Sequence, residues 1–499
     1  MNGLENFERD PFGKQMHKGY SESFLNMRPA PEYASGEVIL SSLYRSVGFP
    51  NIKESKVPEL GSRLTKKLGV DDGIQHVLDH DTWKVVLQKT LESPKLPSQS
   101  TKRFMLLCPV VPGVAAYSGS ARMSKNSWNP GNLVGRMVRM GSNSNEGARS
   151  IWAQLFNSLS VDSDDEPWAN LLKGEFLREE EESEVWKFNP LNEVPYLESW
   201  KSPEFPSPAG KFVHDLGKVL GLKQILTRRQ WVSIVESLLR LASVSHIMWL
   251  CKVNEQAFNL LHDALNGQSP GDVSEVQERL FAKHPSTWCI GQQVLPTVRR
   301  LARNYLVARV GINYLLFLSE ARGILPESWR QGVGTPVWFQ EFVSRVYSNR
   351  DVLNAHDPLR KHQHLVEDDP RILACKKGIG KNIEEFARHV LGHRQAADEH
   401  LVVYDQGYFA IKNGDYQSAP WVLSPGSVAI MMLCHCCAAG SKAPRTVEHL
   451  CEHLNWYGIG VKPNDLVVSE LGQTLRNLGL VLDSPDAEGG MVILDPFRA

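Results

Sequence analysis

The C-terminal segment 421–497 carries the pattern that most restricts the fold of this chain. Ser424-Pro425 is typical of a helix start, because a hydroxyl can cap the first turn and proline there needs no amide donor. An apolar run follows and ends at Gly440. Apolar residues at three- and four-residue spacing predict a second helix after Thr446 and a third over 464–477, with Gly479 as a left-handed stop. Two short apolar stretches, 480–483 and 491–494, flank a turn with proline and glycine and predict a hairpin.

Three helices followed by a hairpin are typical of a winged helix. We therefore predict a mainly α, multi-domain helical protein with a C-terminal winged-helix module and small β-hairpins. Residues 421–499 hold five lysines and arginines against eight acids, and the exposed face of the third helix offers one cation, Arg476. Such a surface repels phosphate, so we expect the module to dock protein or to serve a structural role rather than to read DNA.

Composition sets the outer limits. With 499 residues, 42% hydrophobic residues and 22% charged residues, the chain can form several globular domains. Its net charge of −1 argues against a nucleic-acid coat. The apolar run near 428–439 is too short to span a bilayer, and the N-terminus has no signal pattern, so we expect no membrane association. Eight scattered cysteines favour the reduced cytoplasm.

Composition shifts divide the chain into five predicted parts. The predicted parts are an extended polar arm (1–56), an N-terminal helical domain with one strand at 104–111 and an acidic stretch (57–205), a central bundle of antiparallel helices (206–350), a basic helical connector (351–398), and a β-hairpin plus the winged helix (399–499).

Charge is distributed unevenly along the chain. Segment 162–204 holds thirteen acids and four cations, whereas 299–394 holds sixteen cations and ten acids. The basic segment could bind nucleic-acid phosphate, or it could be an ordinary basic face packed against the acidic stretch. The candidate nucleic-acid contacts are Arg299, Arg300, Arg303, Lys376, Lys377 and Lys381, with Arg476 in the winged helix.

Two motifs raise the question of chemistry. His214-Asp215 resembles the central pair of HD-type metal-dependent phosphohydrolases, but such a site needs further ligands, and no histidine lies between Asp81 and Val213. A capping or solvent-facing pair is the simpler interpretation. Glycines 113–141 fail the Walker pattern of a phosphate-binding loop.

A histidine- and cysteine-rich set in the C-terminal segment has the composition of a zinc site. The set is Cys434, His435, Cys436, Cys437, His449, Cys451 and His453. The cysteines continue a buried helical stripe, so we expect protonated core thiols and no metal or other cofactor.

Several C-terminal stretches resemble the tails of large accessory proteins encoded beside ATPases and nucleases in bacterial anti-phage defence operons. The stretches are 390–396, 404–408, 419–422 and 478–487, and together they lie in the last fifth of the chain. The resemblance implies a non-enzymatic subunit whose partners supply motor and nuclease activity.

We therefore expect a non-catalytic scaffold or adaptor of a DNA-processing or defence assembly, docking ATPase or nuclease subunits. The alternatives are a DNA-binding winged-helix regulator and a phosphohydrolase that uses His214 and Asp215.

Overall fold

The computed structural model describes residues 3–13, 16–20, 36–50, 79, 81–82, 85, 108–117, 130–176, 185–192, 197–200, 207–281, 287–325, 334–368, 379–393, 407–414, 416, 418–482 and 491–498. Over these residues the chain is mainly helical, as the sequence predicts. Helices α1 (Gly3–Arg9) and α2 (Gly36–Gly48) come first.

Both helices differ from the extended polar arm expected for residues 1–56. Ile39, Leu43 and Tyr44 of α2 are fully buried. They belong to an apolar stripe at three- and four-residue spacing, which makes α2 part of the core. The N-terminal residues also pack: the backbone N–H of His17 donates to Oδ1 of Asn313 at 2.8 Å.

Four short helices follow, namely α3 (Pro112–Tyr117), α4 (Pro130–Gly141), α5 (Asn145–Leu159) and α6 (Pro167–Phe176). The strand predicted at 104–111 is not formed by residues 108–111, since α3 begins at Pro112; residues 104–107 lie outside the described part.

The glycines of α4 allow close helix packing. A Cβ at Gly131 would lie 2.2 Å from the carbonyl oxygen of Ser42, and one at Gly141 would lie 2.0 Å from that of Ala209. These positions therefore tolerate no side chain, which gives the glycines a packing role rather than one in a phosphate loop.

The middle of the chain is built on two long helices. After α7 (Pro208–Gly221), α8 (Arg228–Leu265) begins at Thr227, whose side chain and backbone form a capping box with Gln230. Next come α9 (Val273–Phe281), β1 (Trp288–Cys289) and α10 (Leu295–Ala321). The helical character predicted for the central part of the chain is thus confirmed.

The direction of the two long helices differs from the antiparallel arrangement expected. Nδ2 of Asn304 donates to Oε1 of Glu255 at 2.8 Å, and Gly311 lies against the ring of Phe258. Contacts therefore advance in the same direction along α8 and α10, and the helices run parallel. The connection through α9 supplies the return crossing, which the sequence pattern does not reveal.

Helices α11 (Pro336–Ser348), α12 (Arg350–Leu353), α13 (His356–Asp368) and α14 (Ile379–Arg388) complete the helical body, and a π-helical turn over His389–His393 follows. Strand β2 (Ala410–Lys412) pairs antiparallel with β3 (Trp421–Leu423). In the hairpin expected over 400–412, residues 400–406 lie outside the described part.

The C-terminal segment contains α15 (Ser427–Ala438), β4 (Arg445–Thr446), α16 (Val447–Trp456), β5 (Ile459–Gly460), α17 (Pro463–Val468), α18 (Glu470–Asn477), β6 (Val481–Leu482) and β7 (Val492–Ile493). Strand β7 pairs antiparallel with both β4 and β6.

This segment follows the predicted order with three local differences. The first helix begins at Ser427, after a cap at Gly426. The third helix is divided at Ser469, whose hydroxyl accepts from Gly472 N and caps α18. Strand β4 was not predicted. Gly479 follows the end of α18 with φ of 66°, as expected for a left-handed stop, whereas Gly440, with φ of 75°, lies in the turn after α15 has ended at Ala438.

The buried apolar residues of the described part form two cores. One joins α2, α4, α5, α7 and the first part of α8 to the C-terminal helices. The other joins α1 and the second part of α8 to α9, α11 and α13. Helices α8 and α10 contribute to both cores, and the first core includes residues of the C-terminal helices.

Helix α8 is also long and apolar enough to cross a membrane by length and composition, and 94% of its most apolar window is buried inside the protein. A core helix satisfies the same test.

Candidate functional site

A cationic cleft lies where α7 meets the C-terminal segment. Helix α7 begins at Pro208 and buries Phe212, Leu216 and Val219 in the larger core. Lys211, His214 and Lys218, at three- and four-residue spacing, are thereby directed to the opposite face and line the cleft.

The other wall of the cleft comes from the end of α15, from β4 and from α16. The cleft has a volume of about 370 Å³. Besides the α7 side chains, its lining includes Arg445, His449, Glu452, His453 and Trp456.

Asp215 forms a buried polar centre beneath the cleft. Its side chain is fully buried, and its Oδ1 lies 3.4 Å from Nζ of Lys211 and 3.2 Å from Nδ1 of His214. Its Oδ2 accepts a 2.7 Å hydrogen bond from the Tyr457 hydroxyl. Nε2 of His453 lies 2.9 Å from the same oxygen, within ion-pair distance but outside good hydrogen-bond geometry.

These neighbours determine the charge on Asp215. Burial alone would raise the pKa of its carboxyl, but the hydrogen bond with His214, the close approach of His453 and the charge of Lys211 outweigh burial and hold that pKa well below its usual range. Burial lowers the pKa of His453 more than the carboxylate raises it. Asp215 is therefore a carboxylate at neutral pH, and His453 is a neutral imidazole.

The same centre fastens the C-terminal segment to the body. Nζ of Lys218 donates to the carbonyl of Cys436 at 2.7 Å. Nδ1 of His435 lies 2.8 Å from Oδ1 of Asp495, which holds the chain terminus against α15. Farther along, β1 pairs parallel with β5. Side-chain and main-chain contacts together thus hold the C-terminal segment against the helical body.

The His214-Asp215 pair is thus an anchor in this structure. Both oxygens of Asp215 face donors of the protein itself, including a lysine, so neither oxygen is directed toward an open coordination position. Among the described residues, no group of three or more His, Cys, Asp or Glu side chains is arranged to hold a metal ion.

The cysteines of the histidine- and cysteine-rich C-terminal set are buried thiols. Cys434 and Cys436 are fully buried, and burial raises the pKa of both. Burial also raises the pKa of Cys451 to about 11. A thiol that stays protonated at neutral pH is a poor metal ligand.

The predicted basic contacts are only partly brought together. Arg299, Arg300 and Arg303 are exposed on one face of α10. The guanidinium of Arg299 pairs with Glu384 of α14 at 2.8 Å, which makes the patch mixed in charge. The backbone of Lys381 is on α14, its side chain is outside the described part, and Lys376 and Lys377 lie wholly outside it.

Arg476 of α18 is engaged within the protein. Its Nη1 donates to the carbonyl of Val467 at 2.9 Å, and its Nη2 lies 3.3 Å from the sulfur of Met491.

The acidic stretch also pairs locally: Asp165 contacts Lys223 and Arg228, which are outside the basic segment 299–394.

Sequence reasoning missed the cleft, although one signal was present. Lys211, His214 and Lys218 form a polar stripe opposite an apolar one on the same predicted helix. Their partner side chains, from Arg445 to Trp456, are more than two hundred residues away, and no local pattern joins the two sets.

No protein-family model matches this chain, and no curated protein is significantly similar to it.

Proposed function

We propose that this chain is a non-catalytic, cytoplasmic scaffold or adaptor subunit of a DNA-processing or anti-phage defence assembly. Its C-terminal segment, a module of winged-helix type, docks an ATPase or nuclease partner. The observation that carries the proposal is the apolar exposure near the third helix: Val468 is 85% exposed, and Leu478 and Leu482 are also exposed. Exposed apolar side chains are typical of surfaces that meet another protein.

Charge supports a protein partner over DNA at this surface. Residues 421–499 carry three more acids than cations, and Asp465 and Glu470 belong to α17 and α18. Arg476, the cation of this helical pair, already contacts Val467 and Met491. A DNA-reading helix normally directs several cations at phosphate.

The anchoring role of Asp215 supports a non-catalytic function. This carboxylate joins α7 to α16 through His453 and to the end of that helix through Tyr457. The segment that would dock a partner is thereby held at a fixed position on the helical body, as an adaptor requires.

The test is co-purification of the chain with the products of the genes encoded beside it, followed by size-exclusion chromatography. We expect a stable complex that Val468→Asp weakens at least tenfold, because a carboxylate replaces an apolar contact. Val337→Asp on α11 is the matched control, since Val337 is similarly exposed on the body. If no neighbour binds, or if both variants weaken binding equally, the proposal is wrong.

The second candidate is a DNA-binding regulator, favoured by the exposed Arg299, Arg300 and Arg303 on α10. Fluorescence anisotropy with duplex DNA tests it. For this candidate, Arg300→Glu with Arg303→Glu should weaken binding and reduce its salt dependence more than Arg476→Glu does. Arg322→Glu, at the far end of α10, is the control. A dominant Arg476 effect would assign DNA binding to the C-terminal segment instead.

A further inference from the structure

The cleft between α7 and the C-terminal segment has the properties of a ligand site that an adaptor role does not use. Lys211, Lys218 and Arg445 approach it from two different walls. The lining has one carboxylate, that of Glu452. Asp215 lies underneath, closed off from solvent, and Lys211 offsets its charge. Lys218 and Arg445 therefore leave the open part of the cleft with a surplus of positive charge.

Two donors in the cleft are free to meet a ligand. Nε of Arg445 is buried and has no hydrogen-bond partner among the described residues. Nδ1 of His449 accepts from the backbone N–H of Thr446 at 3.2 Å, so the proton of a neutral ring lies on Nε2. Because His449 also lines the cleft, it adds a donor beside the cations.

An aromatic side chain completes the set. Trp456, at the end of α16, lines the cleft and is 42% exposed, so one part of its ring system faces solvent. Indole faces stack on nucleobases, and cations beside such a platform meet phosphate. A cleft of about 370 Å³ matches a small ligand and is too small for a folded partner.

We propose that this cleft binds a nucleotide, with its phosphates against Lys211, Lys218 and Arg445 and its base against Trp456. Glu452 is placed to accept a hydrogen bond from a hydroxyl or amino group of the ligand. Nucleotide binding here goes beyond the adaptor role and does not depend on it.

Isothermal titration calorimetry of the full chain with ADP tests the proposal, with pyrophosphate and adenosine as the two half-ligands. We expect ADP to bind at least tenfold more tightly than either half. Arg445→Gln and Trp456→Ala should each weaken ADP binding about tenfold or more, because each removes one half of the recognition.

Each test variant has a matched control that makes the same kind of substitution at an exposed residue outside the cleft. Lys442→Gln makes the same charge change three residues away, at an exposed side chain outside the lining. Tyr416→Ala removes an exposed aromatic elsewhere. Neither should change ADP affinity, and thermal melting checks that all four variants fold. Absence of ADP binding, equal loss in Arg445→Gln and Lys442→Gln, or pyrophosphate binding as tightly as ADP would each overturn the assignment.

Discussion

Two buried charged side chains, Arg228 and Asp215, hold the protein together in different ways. Arg228 is at the start of α8, where its guanidinium donates to the carbonyls of Val110, Ser158 and Ser160 and pairs with Asp165. Asp215 is on α7 and meets side chains that titrate: Lys211, His214, His453 and Tyr457. Arg228 thus binds mainly backbone carbonyls, whereas Asp215 binds ionisable side chains.

Because of this difference, we expect the interactions of Arg228 to depend less on pH than those of Asp215. The carbonyls around Arg228 include those at the C-terminal end of α5, where helix geometry leaves oxygens without internal partners. They keep their partial charge at every pH. The groups around Asp215 are ionisable side chains, and Lys211, His214 and His453 among them line the open cleft. We therefore expect Arg228 to dominate stability and the Asp215 centre to respond to conditions.

The largest expected effect is that of Arg228→Met. It should lower the free energy of unfolding by about 3–5 kcal/mol, because it removes the guanidinium that pairs with buried Asp165 and that donates to several buried carbonyls. Urea denaturation measures the change. Arg229→Met is the control, since Arg229 is the exposed neighbour on the same helix. If Arg228→Met and Arg229→Met lower the free energy of unfolding equally, the buried contacts of Arg228 are not what stabilises the protein.

Asp215→Asn should have the next largest effect, about 1.5–3 kcal/mol, because it removes the charge that the lysine, the histidines and the phenol meet. Asp263→Asn is the control: Asp263 pairs with Arg279 in a partly exposed bridge, so its loss should cost under about 1 kcal/mol. If Asp215→Asn is neutral, or if elemental analysis finds a bound transition metal in the wild-type protein that this variant loses, the anchor assignment fails.

Acid should weaken the Asp215 centre through His453. The pKa of His453 is lowered from its ordinary value of 6.5, so below that pH the unfolded chain takes up a proton that the folded chain does not. Stability therefore falls as pH decreases from 6.5 toward the folded pKa, by at most about 1.4 kcal/mol per pH unit for this group. The pKa of Asp215 is lowered too, so its contribution is complete above its ordinary value of 3.8 and is lost only as pH falls through the folded value.

Urea denaturation at pH 7.5, 6.0 and 5.0 measures this slope. His453→Gln should flatten it, whereas His364→Gln, at an exposed position on α13, should leave it unchanged. Burial lowers the pKa of His246 to about 3, so His246 also makes stability fall with decreasing pH, and it does so equally in the wild type and in His453→Gln. A slope that is identical in wild type and His453→Gln would show that His453 is not the responsive group.

The smallest effect should come from Tyr457→Phe, about 1 kcal/mol, because it removes one of several donors to Asp215 and leaves the ring packing intact. Its measurement is again chemical denaturation, with the exposed Tyr416→Phe as the control. A loss as large as that of Asp215→Asn would mean that the phenol, rather than the whole set of donors, holds the carboxylate.

Much of the helical content could be predicted from sequence because it depends on local signals. Thr227 caps the start of α8 with its own side chain, and α18 stops just before Gly479, where a positive φ favours glycine. The stripe that buries Cys434 and Cys436 likewise follows from spacing. Helix α2 shows that the same signal can be overlooked in a polar surrounding.

What the sequence by itself determined is therefore the set of helices and their apolar faces, since caps, stops and spacing act within a few residues. Only the tertiary structure decided that α8 and α10 run parallel, that both enter two cores, and that α7 meets α16. The pairing of Asp215 with Tyr457 joins positions far apart in the chain. The partner of a buried charge depends on which helix faces pack together. An apolar stripe in the sequence indicates that a helix face is buried, but it does not indicate which other element packs against that face.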